Sequence, residues 1–150
     1  MNETNLNYRF YFDLDGTISG NNEWVGFFYN TIKLFDGKKI FKPKVGWSIL
    51  TSRPKIDKII VKTFCKIYKL YPIEIITADT WFYNFENKEE ISMWKSHELF
   101  KAIENNPFID KFVYVDNDIE IRSKIYAHPK LITCTTQNVN YIVKEFINGK

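Results

Sequence analysis

The chain has 150 residues, with 21 Lys+Arg against 18 Asp+Glu and a formal charge of +3. That length predicts a single domain over residues 1–150, long enough to bury a core without staples. Apolar residues at 45% and aromatics at 17% exclude a disordered chain, and no apolar run approaches the ~20 residues of a membrane span. Met1 to Asn7 is polar and does not resemble a signal peptide. The two cysteines, Cys65 and Cys134, make no disulfide framework. The expectation is a cytoplasmic protein with no membrane partner and two reduced thiols, buried or inert.

Short β-like runs alternate with helical ones. Tyr8 to Leu14 is aromatic and predicts a first strand. Glu23 to Leu34, with Trp24, Phe27, Phe28, Ile32 and Leu34, predicts a helix. Val45 to Thr51 predicts a second strand. Pro54 to Tyr71 predicts the clearest helix, with Ile56, Ile59, Ile60, Phe64 and Ile67 at helical spacing, and Pro54 suits a first turn. Ile73 to Thr77 predicts a third strand. Ala78 to Glu90 has no period and reads as loop. Ser92 to Asn105 predicts a helix, Phe112 to Val115 a fourth strand, Ile119 to Ala127 a helix, Leu131 to Cys134 a fifth strand and Val139 to Ile147 a last helix. Such alternation argues for an α/β fold with a parallel sheet covered on both faces. Ligands in such sheets bind beyond the carboxyl ends of the strands.

The first strand ends in Asp13-Leu14-Asp15-Gly16-Thr17. Residues two apart in an extended chain point the same way, so two carboxylates share one small space. They need a cation, or a proton on one of them. That suits a divalent metal, or a nucleophile beside an acid/base. A plain Asp-Gly turn accounts for Asp15 and Gly16 but not for Asp13 inside an apolar run. The second strand ends in Thr51-Ser52-Arg53-Pro54 just before a helix. That is either an anion site or an N-cap supplied by Ser52. The fourth strand ends in Asp116-Asn117-Asp118-Ile119-Glu120. Asp118 reads as a helix cap, whereas Asp116 needs another reason. Lys95, near a helix start, means little alone, and His97 reads as a helix-surface residue.

Together these residues resemble the haloacid dehalogenase superfamily, mostly phosphohydrolases. Asp13-Leu14-Asp15-Gly16-Thr17 matches its first motif. Thr51, Lys95 and Asp116 fall where the second, third and fourth motifs place a hydroxyl, a base and an acid. The resemblance implies a Rossmann-like three-layer sandwich with a five-stranded parallel sheet of order 5-4-1-2-3. It also implies a Mg²⁺-dependent phosphoric monoester hydrolase. Asp13 would be the nucleophile forming an aspartyl-phosphate, Asp15 the general acid/base, and Lys95 a charge stabiliser. Gly16, Thr17, Thr51, Ser52 and Arg53 would bind the substrate. The metal would be held by Asp13, Asp116 and the Asp15 carbonyl. The family often carries a second acid beside or a few residues after the last motif. Here Asn117 is adjacent and Glu120 follows, so Asn117, Asp118 and Glu120 are all candidates to assist the metal.

Only 33 residues (Ile18 to Leu50) separate the first two motifs, and 17 (Ala78 to Trp94) precede Lys95. Neither stretch holds a full cap domain. An open site admits the end of a large substrate, or is closed by another subunit in a homo-oligomer. Lys33 to Lys69 carries 11 Lys+Arg and two acids, a charge of +9, while the remainder carries −6. This asymmetry hints at an anionic partner. Lys55, Lys58, Lys62, Lys66 and Lys69 form one stripe, either a phosphate-binding face or the solvated side of an amphipathic helix. The stretches around Arg53, Trp94 to Ile103 and Asp116 look similar to the phosphatase domain of polynucleotide kinase-phosphatases, which act on 3′-phosphates. The expected substrates are therefore nucleotides or nucleic-acid ends. A phosphatase of a small non-nucleotide metabolite and a non-catalytic binding module are the alternatives.

Overall fold

The structure is a computed structural model and describes residues 7–18, 46–67 and 69–142. The helix expected over Glu23 to Leu34, and the last helix beyond residue 142, lie outside the described residues. Among the described residues there are five strands: β1 (Tyr8–Phe12), β2 (Gly46–Leu50), β3 (Ile75–Ile76), β4 (Lys111–Val115) and β5 (Leu131–Cys134). All pair in parallel, in the order β3-β2-β1-β4-β5. Read from the other edge, that order is 5-4-1-2-3. The described helices are α1 (Lys58–Ile67), α2 (Lys88–Asn105), α3 (Ile119–Ser123) and α4 (Thr136–Ile142). None is long and apolar enough to cross a membrane.

Alternation along the strands builds two cores. Tyr8, Phe10 and Phe12 of β1 share one face with Ile49, Val113 and Val115, and pack under α1 and α4 through Val61, Phe64, Val139 and Ile142. Tyr11 shares the opposite face with Leu50, Phe112 and Tyr114, and packs under α2 through Leu99 and Ile103. Every strand residue of β1 except Arg9 is buried, as expected for a central parallel strand. The chain winds outward from β1 through β2 and β3, then returns to the other side for β4 and β5. The order reverses between β1 and β4, and the space beyond the carboxyl ends of strands at such a reversal is the usual place for a ligand.

Helix α3 stops at Ser123 rather than Ala127 and α4 starts at Thr136 rather than Val139, and two further helices differ in ways that bear on the site. The clearest predicted one begins with a 3₁₀ turn, Lys55–Asp57, after an extended Pro54 (ψ 171°) that offers no side-chain cap, so Ser52 is not its N-cap. Its buried residues are Val61, Phe64 and Cys65, whereas Ile56, Ile59, Ile60 and Ile67 are exposed. Two apolar faces compete on this helix. The one that wins is complementary to Phe10, Phe12 and Trp47 below it. The helix closes at Lys69, which has φ 56°. Lys69 N–H donates to the Lys66 carbonyl at 3.2 Å, and Leu70 N–H to the Cys65 carbonyl at 2.8 Å, a Schellman closure without the usual glycine. The lysine stripe therefore shortens to Lys58, Lys62 and Lys66 on the helix itself.

Helix α2 starts at Lys88, four residues before Ser92. The Asn87 side chain accepts from the Glu90 N–H at 2.9 Å, and the Glu90 carboxylate accepts from the Glu86 N–H at 2.8 Å. This reciprocal closure, with Glu89 and Glu90 against the positive end of the helix dipole, fixes the start. Lys95 is thus two turns inside the helix rather than at its opening.

Candidate functional site

Parity carries the strand-end residues to one place. Asp13 continues the Tyr11 side of β1, and Asp116 continues the Tyr114 side of β4, both facing α2. Pairing runs past the strand ends: Asp13 N–H donates to the Val115 carbonyl and Asp116 N–H to the Cys134 carbonyl, each at 2.9 Å. From above, α2 presents Ile91, Ser92, Lys95, Ser96, Leu99 and Ile103 as its buried stripe. The small Ser92 and Ser96 dock the helix against the chain around α3, through the Ile121 carbonyl and the Tyr126 N–H. Lys95 lies in the middle of the stripe.

Its ammonium donates to Asp13 Oδ1 and to the Tyr114 hydroxyl, both at 2.6 Å, and lies 3.6 Å from Asp116 Oδ2. The Tyr114 hydroxyl in turn donates to Asp116 Oδ2. Lys95 and Asp116 are both 0% exposed. The electrostatics follow from one cation shared by two buried carboxylates. Burial opposes the Lys95 charge, but Asp13 and Asp116 outweigh it and hold its pKa above the ordinary lysine value. Burial pushes the Asp13 carboxyl up to about 7; Lys95 opposes this, while Asp116 and Asp15 add to it. Burial and the same carboxylates keep the Tyr114 hydroxyl protonated well above its usual range.

The loop after β1 is shaped around Asp13. Gly16 takes φ 82°, a conformation glycine reaches without steric cost. The chain then doubles back, with the Thr17 and Ile18 N–H groups both on the Leu14 carbonyl. The buried Thr17 hydroxyl donates to Asp13 Oδ2 at 3.1 Å and accepts the Asn117 N–H at 3.0 Å. Asn117 donates to the Gly16 carbonyl at 3.2 Å and accepts from the Thr136 N–H at 2.9 Å. Thr17 and Asn117 are thus occupied in holding the loop against β4 and the start of α4. Asp118 caps α3 through the Ile121 N–H at 3.1 Å and pairs with Lys88 at 2.9 Å. Partial burial opposes its charge, but Lys88 and the Ile121 N–H hold its carboxyl below the ordinary range. Glu120 faces the same Lys88 at 3.4 Å. Asn117, Asp118 and Glu120 therefore all have partners away from Lys95.

The second motif meets the first through Arg53. Its Nε and Nη2 donate to Asp15 Oδ2 and Oδ1 at 2.9 and 2.8 Å, and Nη1 donates to Asp57 Oδ2 at 3.3 Å. The two acids raise the guanidinium pKa further, against partial burial. Thr51 is buried, its hydroxyl accepts the Arg53 N–H at 3.2 Å, and its own N–H donates to the Ile76 carbonyl. Ser52 is half-buried between them.

The structure thus brings together Asp13, Lys95 and Asp116 around one ammonium, with Asp15 and Arg53 at the more exposed rim and Thr51 beside Arg53. Tyr114 joins the site and was missed in the sequence. The available signal was its hydroxyl two residues before Asp116, on the same side of an otherwise apolar strand. His97 is exposed on α2, as expected. Cys65 and Cys134 are free and buried. Among the described residues no group of three or more His, Cys, Asp or Glu is set to hold a metal. The side chains that could hold a divalent cation are Asp13 and Asp116, and magnesium uses only one or two carboxylates. No family model, curated protein or solved structure matches the chain.

Proposed function

We propose that the chain is a capless, Rossmann-like phosphatase of the haloacid dehalogenase kind, hydrolysing phosphomonoesters of nucleotides or nucleic-acid 3′ ends. The observation that carries this reading is the Lys95 ammonium 2.6 Å from Asp13 Oδ1 and 3.6 Å from Asp116 Oδ2, sealed beneath the strand ends. A buried lysine between two acids, at the topological switch of a parallel sheet, has no packing advantage over an apolar residue. It is suited to a site where negative charge arrives.

In this reading an Asp13 oxygen attacks phosphorus, and the bond to the ester oxygen breaks. Asp15 gives that oxygen a proton, then takes one from the water that attacks the aspartyl-phosphate and restores Asp13. Thr17 holds the second Asp13 oxygen in place while the first reacts. Lys95 offsets the charge of nucleophile and phosphoryl group. Because both Asp15 oxygens accept from Arg53, the guanidinium has to leave before Asp15 acts, and a phosphate is its natural alternative partner. The donor set fits a hard cation, since two buried carboxylates against one ammonium leave surplus negative charge. Asp13, Asp116 and the Asp15 carbonyl would hold magnesium, which when bound supplies positive charge to the phosphoryl oxygens.

The test is release of phosphate from p-nitrophenyl phosphate with Mg²⁺, and from 3′- and 5′-phosphorylated oligonucleotides, mononucleotides and sugar phosphates. The expected result is turnover that vanishes in Asp13→Asn, with nucleotide or 3′-phosphorylated substrates preferred. No release from any ester would overturn the proposal, and preference for sugar phosphates would move the substrate to a small metabolite.

A further inference from the structure

The connection from β3 to α2 carries three consecutive aromatics that face water: Trp81, Phe82 and Tyr83 are 65, 70 and 58% exposed. Each ring is large enough to bury roughly 150–250 Å² when covered. The segment is not loosely attached. Ala78 N–H donates to the Arg53 carbonyl at 2.9 Å, and Lys55 N–H donates to the Thr80 carbonyl at 2.7 Å. The Thr80 hydroxyl donates to the Phe82 carbonyl at 2.9 Å. The rings therefore start one residue beyond backbone that is stitched to Lys55, and three beyond the contact with Arg53, whose guanidinium sits on Asp15.

Cations and rings are interleaved there. The Lys55 ammonium lies 5.7 Å from the Trp81 ring centre and pairs with Asp79 at 3.0 Å. Lys55, Lys58 and Trp81 line a cavity of about 410 Å³ together with Thr77, Ala78 and Asp79. Lys62 and Lys66 continue along the exposed side of α1. On the other flank the Tyr83 ring meets Phe85 at 6.0 Å, and Phe85 meets Trp94 at 5.8 Å. Trp94 precedes Lys95. The aromatic series thus runs from Trp81, beside Lys55, to Trp94 on α2.

We propose that this loop is a stacking platform for unpaired bases, so that the ligand is a single-stranded nucleic-acid terminus. Flat rings in water accept a base of any identity, and lysines beside them meet the backbone phosphates. This rests on the phosphatase reading only for where the terminal phosphate lies. The stacking itself does not depend on turnover. A folded protein partner would use the same rings without needing an unpaired strand, which makes it an outcome of the test.

The experiment measures anisotropy of a labelled single-stranded oligothymidylate of about ten nucleotides, with and without a 3′-phosphate, on the full chain. Trp81→Ala and Tyr83→Ala are each expected to weaken binding about fivefold or more, while Trp81→Phe keeps most of it. Phe108→Ala removes a still more exposed ring, ahead of β4 at the amino end of the sheet, and is expected to change nothing. For a 3′-phosphorylated oligonucleotide, Trp81→Ala should also lower kcat/KM relative to that for p-nitrophenyl phosphate. Binding by Trp81→Ala and Tyr83→Ala as tight as the parent's, or no binding by the parent at about 50 mM salt, overturns the platform. Trp81-dependent binding without any phosphate release leaves the platform standing and overturns the hydrolase reading instead.

Discussion

Arg53 grips Asp15 by both carboxylate oxygens, Nε at 2.9 Å and Nη2 at 2.8 Å. A phosphate matches the same two-pronged fork, so in the proposed phosphatase substrate arrival and release of Asp15 would be one exchange of partners. Arg53→Lys keeps the charge and loses the fork. It is expected to lower kcat/KM for p-nitrophenyl phosphate by about 10- to 100-fold, through KM as well as kcat. The pair is partly exposed, so its loss should change stability by less than about 1 kcal/mol. Steady-state kinetics beside thermal melts separate the two effects. Full activity in Arg53→Lys would mean that no such exchange operates.

The raised Asp13 carboxyl links stability to pH. Its native pKa of about 7 lies above the ~3.9 of an unfolded aspartate. The native state therefore keeps a proton that the unfolded chain has lost, and stability falls as pH rises from about 4 to about 7. The amide introduced by Asp13→Asn cannot ionise. With divalent cations removed, that variant is expected to melt above the parent at pH 8, by on the order of a few kcal/mol. The gap should close toward pH 4. Melting curves across that range check the sign, and the same variant should release no phosphate.

Lys69 occupies the closing position of α1 at φ 56°, where a Cβ costs roughly 1 kcal/mol. Lys69→Gly removes that cost while keeping the hydrogen bonds to the Lys66 and Cys65 carbonyls. A gain of about 0.5–1 kcal/mol in urea unfolding is expected. A loss would mean that the lysine side chain contributes more than its backbone strain costs.

Burial pushes the Cys65 thiol up to about 11 and, with Arg122 opposing, the Cys134 thiol up to about 12. Both should resist alkylation at neutral pH in the native protein and react at once in denaturant. Each raised pKa also makes stability fall as pH rises above ~8.5, where the unfolded thiols ionise. Cys65→Ala should flatten that alkaline decline in Tm.

The strands and the carboxylates at their ends were legible because a buried parallel strand writes itself as an unbroken apolar run. An acid directly after such a run stands out, as Asp13 and Asp116 do. The buried face of α1 was harder to read. It carries two apolar faces, and only the partner surface of Phe10, Phe12 and Trp47 selects Val61, Phe64 and Cys65. Lys95 was legible in retrospect, since it falls four residues after Ile91 and four before Leu99 on a buried stripe. The start of α2 was also written in Asn87 and Glu90, but the aromatic stretch before it has no period. The clamp of Arg53 on Asp15 was not legible, because it joins residues 38 apart through side chains that meet only once β1 and β2 are paired.

The hydrogen bond between Asn117 N–H and the Thr17 hydroxyl has a consequence for how the cluster around Lys95 comes into being. The two residues are 100 positions apart, and Lys95 is 82 from Asp13. No local segment can hold even a rough version of this cluster, because its parts are strangers along the chain until the central strands have paired. Contacts of such long range close late and slowly in folding. Recovery of ligand binding after dilution from denaturant should therefore lag behind the return of helical signal, and coincide with the packing of Trp47 against the central strand.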